Sequence, residues 1–479
     1  PPPQPGNAPS TRPGRGGALL DSPPIMAGVN LPTFLAEHAA GERRVEVGGA
    51  TILEVLRGLE TRHPALRGWI LDERGHLRQH VNLFVERDRV SIDRSVDDDD
   101  EIFVLQAISG GDVTAVDSPM EDGSEVELLV GTRKGLFLLR GSRAGELRVV
   151  ERLFPGQEAE YACRDPRSGT YFASVTHGQF GPHLYRTDDP AGDWTQAEGL
   201  AFPEDGDEAV ERIWVVEPGA APDELWAGVA PAALFRSTDG GATWELNRGL
   251  YDHPSRAEWQ PGFGGMCLHT ICPWPGRPEH LTIAISAAGL WITEDGGRSW
   301  ERGVEGLVPR YLPEEAREGA IALCVHKVER SALEPETLYM QFHGGVYRSD
   351  DAGRSWRDIG TDSGLPADFG FPVVADPNDP DRAYVIPLAA DVDRVTPEGR
   401  LRVYLTTDRG NSWRPLSDGL PQRDAHLTIL RQAFCHDGRQ PLGLCFGTRS
   451  GEIYRSSDGG ASWSRAAAHL PPVLSVRYA

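Results

Sequence analysis

The sequence predicts a small α+β domain followed by an all-β propeller of seven blades. Three observations predict it. Residues 29–111 alternate short strand-like and helix-like segments, an eight-residue motif ending in Trp recurs through the rest of the chain, and an apolar C-terminal segment belongs to no repeat. At 479 residues the chain exceeds what one hydrophobic core organises, which requires more than one folding unit. Hydrophobic residues at 39% and charged residues at 25% are the proportions of a globular chain. The 71 Asp and Glu outnumber the 48 Lys and Arg for a net charge of −23, and such a surface repels phosphate backbones. Neither a nucleic-acid partner nor a membrane partner is therefore expected.

Residues 1–25 are rich in Pro, Gly, Ser and Arg without an apolar run, and are read as a disordered leader, not a signal peptide. The next unit spans residues 26–111. Val45-Glu46-Val47 alternates as a strand does; Thr51 caps a helix in which Ile52, Val55, Leu56 and Leu59 recur at helical spacing up to His63-Pro64. Val81-Asn82-Leu83-Phe84-Val85, a polar turn and a second short strand follow, then the acidic run Asp97–Glu101 and the strand Ile102-Phe103-Val104-Leu105. Strand and helix fall in the order of a β-grasp fold. The segment ends on Gly110-Gly111.

These residues resemble the ubiquitin-like sulfur carriers of the MoaD/ThiS type across nearly a whole carrier domain. Leu31-Pro32-Thr33 with Leu35, Gly49-Ala50-Thr51, Pro64-Ala65-Leu66-Arg67, Leu71-Asp72-Glu73, Val81–Val85 and the Gly pair carry the resemblance; Asp99 stands where the family usually has a turn glycine. The resemblance implies a terminal glycine that an E1-like adenylating enzyme activates with ATP and converts to a thiocarboxylate. Here Gly111 is joined by an ordinary peptide bond to Asp112, so carrier chemistry requires cleavage of the Gly111-Asp112 bond. Gly110 and Gly111 would be the tail, and a processing protease and a sulfur-acceptor enzyme would be further partners. Residues 112–124 read as an exposed linker.

The propeller spans residues 125–479. Ser237-Thr238-Asp239-Gly240-Gly241-Ala242-Thr243-Trp244 recurs around Asp295, Asp351, Asp408 and Asp458, with a degraded copy from Arg186 to Trp194. A period of roughly fifty residues is that of a propeller blade. The motif is similar to the Asp-boxes of sialidases and related BNR propellers: Asp accepts backbone N–H bonds in a hairpin turn, Gly supplies positive φ, and Trp wedges between neighbouring blades. In the third repeat Ile213–Val216, Leu225–Gly228 and Leu234–Ser237 are successive strands, innermost first. The first repeat lacks an inner strand and Val473–Tyr478 lacks a repeat, so the C-terminal strand is expected to complete the first blade and close the ring.

Function is sought on the face opposite the Asp-box turns. Its candidates are Arg133, Lys134, His177, Glu258, Trp259, Arg310, Tyr311, His343 and Arg449. Cys267-Leu268-His269 and Cys324-Val325-His326 occupy equivalent places in successive repeats, and i, i+2 spacing on a strand puts each pair on one face. A zinc site built from Cys267, His269, Cys324 and His326 is one reading; core packing is the other. No resident cofactor is otherwise implied. Six cysteines, none before Cys163, do not form a disulfide scaffold, and reduced thiols in a cytoplasmic setting are expected. The resemblance to sialidases implies an arginine triad, a Tyr–Glu pair, an acidic proton donor and a Phe/Tyr-Arg-Ile-Pro motif, and that last motif is missing. The leading expectation is a sulfur-carrier or modifier precursor, non-catalytic itself, with the propeller as partner-binding platform. An uncleaved interaction scaffold and a sialidase-like glycoside hydrolase are the alternatives.

Overall fold

The computed structural model describes residues 26–67, 70–71, 75–77, 81–85, 88–98, 100–106, 125–204, 206–262, 264–360 and 362–479. The Gly110-Gly111 tail and the Gly111-Asp112 bond lie outside the described residues. The chain divides into two compact units, residues 1–107 and 108–479.

The first unit is one mixed sheet with a helix on it. Strands β1 (Met26–Asn30), β2 (Arg44–Gly48), β3 (Val81–Val85), β4 (Asp88–Arg89) and β5 (Glu101–Gln106) lie in the order β2-β1-β5-β3-β4, with β1 and β5 parallel. A short helix α1 (Thr33–His38) precedes the main helix α2 (Ile52–Arg62). The Thr51 hydroxyl accepts the Glu54 N–H at 3.3 Å, and the Glu54 carboxylate accepts the Ala50 N–H at 2.9 Å. One of the amides that a helix start leaves unpaired is thereby satisfied, and the residue before the cap is tied down with it. The period of Ile52, Val55, Leu56 and Leu59 puts all four on one face, buried with Ala27, Val29, Val45, Leu83, Ile102 and Val104.

The second unit contains, among the described residues, seven four-stranded sheets. Six follow chain order from inner to outer strand, the third for example running Arg212–Pro218, Leu225–Ala230, Ala233–Ser237 and Glu245–Leu246. In the remaining sheet the C-terminal strand Val473–Tyr478 pairs antiparallel with Glu125–Thr132, which continues to Gly135–Ser142 and Leu147–Leu153.

At one end of these sheets sits the repeated turn. Asp239 accepts the Thr243 N–H at 3.0 Å, the Thr243 hydroxyl at 2.7 Å and the Ser237 hydroxyl at 2.8 Å. Gly241, at a φ of +82°, donates its N–H to Ser237 Oγ at 2.9 Å, a backbone conformation that favours glycine. These bonds outweigh the cost of desolvating the carboxylate and hold Asp239 down to about 2. Three of the motif Trp residues tie their sheet to the one before through the indole: the Trp300 N–H reaches Asn247 Oδ1 at 3.1 Å, that of Trp356 the Gly303 carbonyl at 3.0 Å, and that of Trp413 the Ile359 carbonyl at 2.7 Å.

The opposite end is organised by β-bulges. In six of the seven sheets the pairing of the innermost strand slips near its start, leaving Glu160, Trp214, His269, His326, the pair Phe371-Pro372, and Leu474 without a cross-strand partner. A bulge adds one residue, bends the strand and re-aims a side chain. Equivalent positions thus carry different chemistry around the unit.

Candidate functional site at the inner-strand bulges

Four of the bulged side chains, Glu160, Trp214, Phe371 and Leu474, line a single cavity of about 150 Å³. That is smaller than the ~300–1,000 Å³ of pockets for drug-sized ligands, and it suits one small ring or group, not a length of polymer. Five arginines, Arg133, Arg212, Arg394, Arg431 and Arg449, share the lining with Glu158 and Gln432. Aromatic rings support the guanidinium groups: Arg212 and Arg431 lie 5.3 and 5.1 Å from the Trp214 ring, and Arg394 lies 5.4 Å from that of Phe371.

A polar network adjoins the lining through Gln432. The Gln432 side-chain carbonyl accepts from Lys327 Nζ at 3.1 Å and from the Arg477 guanidinium, while its amide donates to the His269 carbonyl at 2.7 Å. Tyr161 donates its hydroxyl to Glu217 at 2.9 Å and accepts from Arg477 Nε at 3.1 Å. Burial pushes the Tyr161 phenol far up from its ordinary value and raises Glu217 as well. This Tyr–Glu pair is an internal strut, because Tyr161 is 1% exposed.

Glu160 is the chemically poised group. It is 6% exposed, and burial pushes its carboxyl up to about 7, reinforced by Glu158 and opposed by Arg212. Arg212 Nε stands 2.9 Å from Glu160 Oε1 without the alignment of a hydrogen bond. Glu160 Oε1 and the Trp214 indole N–H are therefore two buried polar atoms without hydrogen-bond partners among the described residues, both belonging to side chains of one cavity. Such atoms are costly unless a ligand satisfies them. A carboxyl that titrates near neutrality is suited to giving a proton and taking it back.

The face residues read from the sequence scatter. Arg133 and Arg449 reach the cavity. Trp259 does not belong to an open rim: it is 4% exposed and packs 5.3 Å from Trp291 in the core. Lys134 and Glu258 are exposed, and His177 stacks on Phe180 at 4.7 Å; none of these three lines the cavity. Arg310 donates to the Gly344 carbonyl at 2.7 Å and pairs with Asp358. Tyr311 and His343 come together with rings 4.6 Å apart.

The four residues of the zinc reading do not converge, which favours core packing for Cys267 and His269. Both ring nitrogens of His269 are engaged, Nδ1 with Thr270 Oγ1 at 2.9 Å and Nε2 with the Val325 carbonyl at 3.0 Å, and Cys267 Sγ faces Arg431 Nη1 at 3.7 Å. Cys324 and His326 instead meet His343, from the second strand's end in their own sheet. Sequence reasoning missed Glu160 and Trp214 because nothing in a strand's residues announces a bulge, and Arg212, Arg394 and Arg431 because residues far apart in the chain meet there only on folding. The signal that was present is the doubled Glu158-Ala159-Glu160, two carboxylates on one strand among otherwise apolar neighbours.

The BNR/Asp-box repeat family matches residues 235–246. The chain is 26% identical over 226 residues to the oligoxyloglucan-reducing end-specific xyloglucanase of Emericella nidulans, covering 41% of this chain and 26% of the relative. Among solved structures it is similar to an ancestral GH74 enzyme at 14% identity and a TM-score of 0.43, covering 74% of this chain and 40% of that one. It is also similar to a chain of the Amycolatopsis orientalis BexX/CysO complex at 32% identity and a TM-score of 0.17, covering 18% of this chain and 99% of that one. The Asp-box repeat supports a propeller-like C-terminal part. The chain spans only 26% and 30% of the length of the curated relatives it matches. Both relatives are named as xyloglucanases, which corrects the expected sulfur-carrier or modifier precursor toward the hydrolase alternative. The peptide bond that follows Gly111 agrees with the correction, since it leaves no terminal carboxylate to activate.

Proposed function

We propose that the propeller unit is a glycoside hydrolase that takes the end of an acidic saccharide into the bulge-lined cavity, with Glu160 as the proton donor. The observation that carries this reading is the buried Glu160 carboxyl near 7 in the cavity lining, ion-paired to Arg212 without a hydrogen bond at Oε1, in the same lining as the Trp214 N–H that has no hydrogen-bond partner among the described residues. Glycosidic cleavage needs a carboxylic acid that is still protonated at working pH to neutralise the departing oxygen. Glu158 raises Glu160 further, and the water that replaces the leaving group gives up the proton that restores the acid. The arginines outnumber the acids in the lining and favour a sugar bearing a carboxylate. The small cavity favours a chain end over an internal segment.

The xyloglucanase names of the relatives support the class of chemistry, and the arginines support the acidic specificity. Release of a fluorogenic leaving group from a panel of neutral and uronic or sialic glycosides tests both. Activity on an acidic glycoside that falls at least a hundredfold in Glu160→Gln is expected. A full-length protein inactive on the whole panel, or a Glu160→Gln variant as active as the parent, overturns the reading. We further infer that the seven sheets are the blades of one ring joined by the C-terminal strand, and that the first unit is a β-grasp domain; the strand pairings given above support both.

A further inference from the structure

We propose that Cys324, His326 and His343 form a binding site for a thiophilic divalent metal ion such as zinc, with one coordination position open to an exogenous ligand. This stands independently of the hydrolase reading.

One ligand atom from each of the three lies within 4.8 Å of the other two, a loose version of the spacing that a tetrahedral ion draws together. The surrounding bonds fix the ligands in a usable form. The His326 ring meets the Gly370 carbonyl through Nδ1 at 2.5 Å; a carbonyl only accepts, so that nitrogen carries the proton and Nε2 presents its lone pair. Metal-bound histidines are commonly oriented by such a bond. His343 has Nε2 3.5 Å from Asp391 Oδ2, the carboxylate partner that leaves Nδ1 as the donor to a metal. The backbone locks the other pair of ligands: the His343 N–H donates to the Cys324 carbonyl at 3.0 Å, and the Cys324 N–H donates to the Tyr311 hydroxyl at 2.8 Å. Tyr311 in turn donates to the Ala322 carbonyl at 2.8 Å.

Phe369 and Phe371 wall the cluster, with ring centres 5.2 and 4.9 Å from that of His326. The neighbouring Ser286 hydroxyl makes a long hydrogen bond with Cys324 Sγ at 3.7 Å, a weak partner that a metal ion would displace or share. One thiolate and two neutral imidazoles select zinc, cobalt or copper over calcium or magnesium. Three protein ligands leave the fourth tetrahedral position vacant for water or an anion, the arrangement of sites that do chemistry, not of purely structural ones. Binding releases the thiol proton to solvent as the metal–sulfur bond forms, so affinity rises with pH.

The test is Co²⁺ titration of the full chain after chelator treatment, followed by absorption. One equivalent of Co²⁺ giving a thiolate-to-metal charge-transfer band together with the visible bands of a tetrahedral ion is expected. Cys324→Ser should abolish the charge-transfer band, and His343→Asn should weaken Co²⁺ binding at least tenfold; Cys267→Ser should change neither. Near-ultraviolet circular dichroism confirms that each variant is folded, and His343→Asn, at a partly exposed position, keeps the test decisive if Cys324→Ser does not fold. No charge-transfer band in the parent protein, or an unchanged titration in His343→Asn, overturns the assignment.

Discussion

The two ends of the same sheets follow opposite rules. At the hairpin end, Asp239, Asp295, Asp351, Asp408 and Asp458 each accept from a Ser or Thr hydroxyl and from backbone amides in nearly identical bonds. At the inner-strand end one geometry recurs, the bulge, while its residue changes from Glu160 to Trp214, His269, His326, Phe371 and Leu474. Identity repeated around the unit marks a requirement every sheet shares, namely turning the chain and attaching it to its neighbour. Geometry repeated with varied chemistry marks a frame on which a site is assembled one side chain per sheet.

Substitutions at the two ends should therefore fail differently. Glu160→Gln, at the bulge end, should cost ~10²–10⁴ in hydrolysis rate while leaving the unfolding midpoint within a few degrees of the parent, read by initial rates and calorimetry. Trp356→Ala, at the hairpin end, removes a 5%-exposed side chain that bonds the preceding sheet. A loss of ~3–5 kcal/mol in denaturant unfolding is expected, with hydrolysis per folded molecule unchanged. Asp239→Ala deletes the acceptor of several bonds in an exposed turn and should cost ~1–2 kcal/mol in the same measurement. A bulge variant that unfolds the protein, or an Asp-box variant that abolishes turnover in folded protein, breaks the contrast.

Titration sharpens it. Asp239 is held down to about 2, so its contribution to stability is complete above the ~3.9 of an unfolded Asp and is lost as pH falls toward about 2. The melting temperature of Asp239→Asn should approach that of the parent over this interval. Glu160 moves the other way: its proton-donating form is lost as pH rises through about 7, so hydrolysis should decline on that limb of the pH–rate profile.

The periodic parts of the molecule were readable in the sequence and the aperiodic parts were not. Thr51 and the run Ile52, Val55, Leu56, Leu59 are local signals, and the helix they announce is Ile52–Arg62. The Asp-box Trp residues are likewise local, with fixed offsets from their Asp. Glu160 and Trp214 owe their positions to a slip in pairing with strands that follow them, which is a property of two segments at once. His343 escaped the expected Cys–His set for the same reason. Matching Cys267-Leu268-His269 to Cys324-Val325-His326 compared neighbouring sheets, whereas the third ligand comes from the next strand of the same sheet. The functional expectation erred by giving a Gly-Gly pair more weight than the far longer Asp-box unit that follows it.

The pairing of Val473–Tyr478 with Glu125–Thr132 sets a schedule for biosynthesis. The opening strand of the second unit leaves the ribosome about 340 residues ahead of its inner neighbour and must wait with one flank unpaired. Final consolidation of that sheet thus waits until Val473–Tyr478 has been made. A nascent chain stalled anywhere before Val473 would present a bare strand edge to chaperones and to other copies of itself.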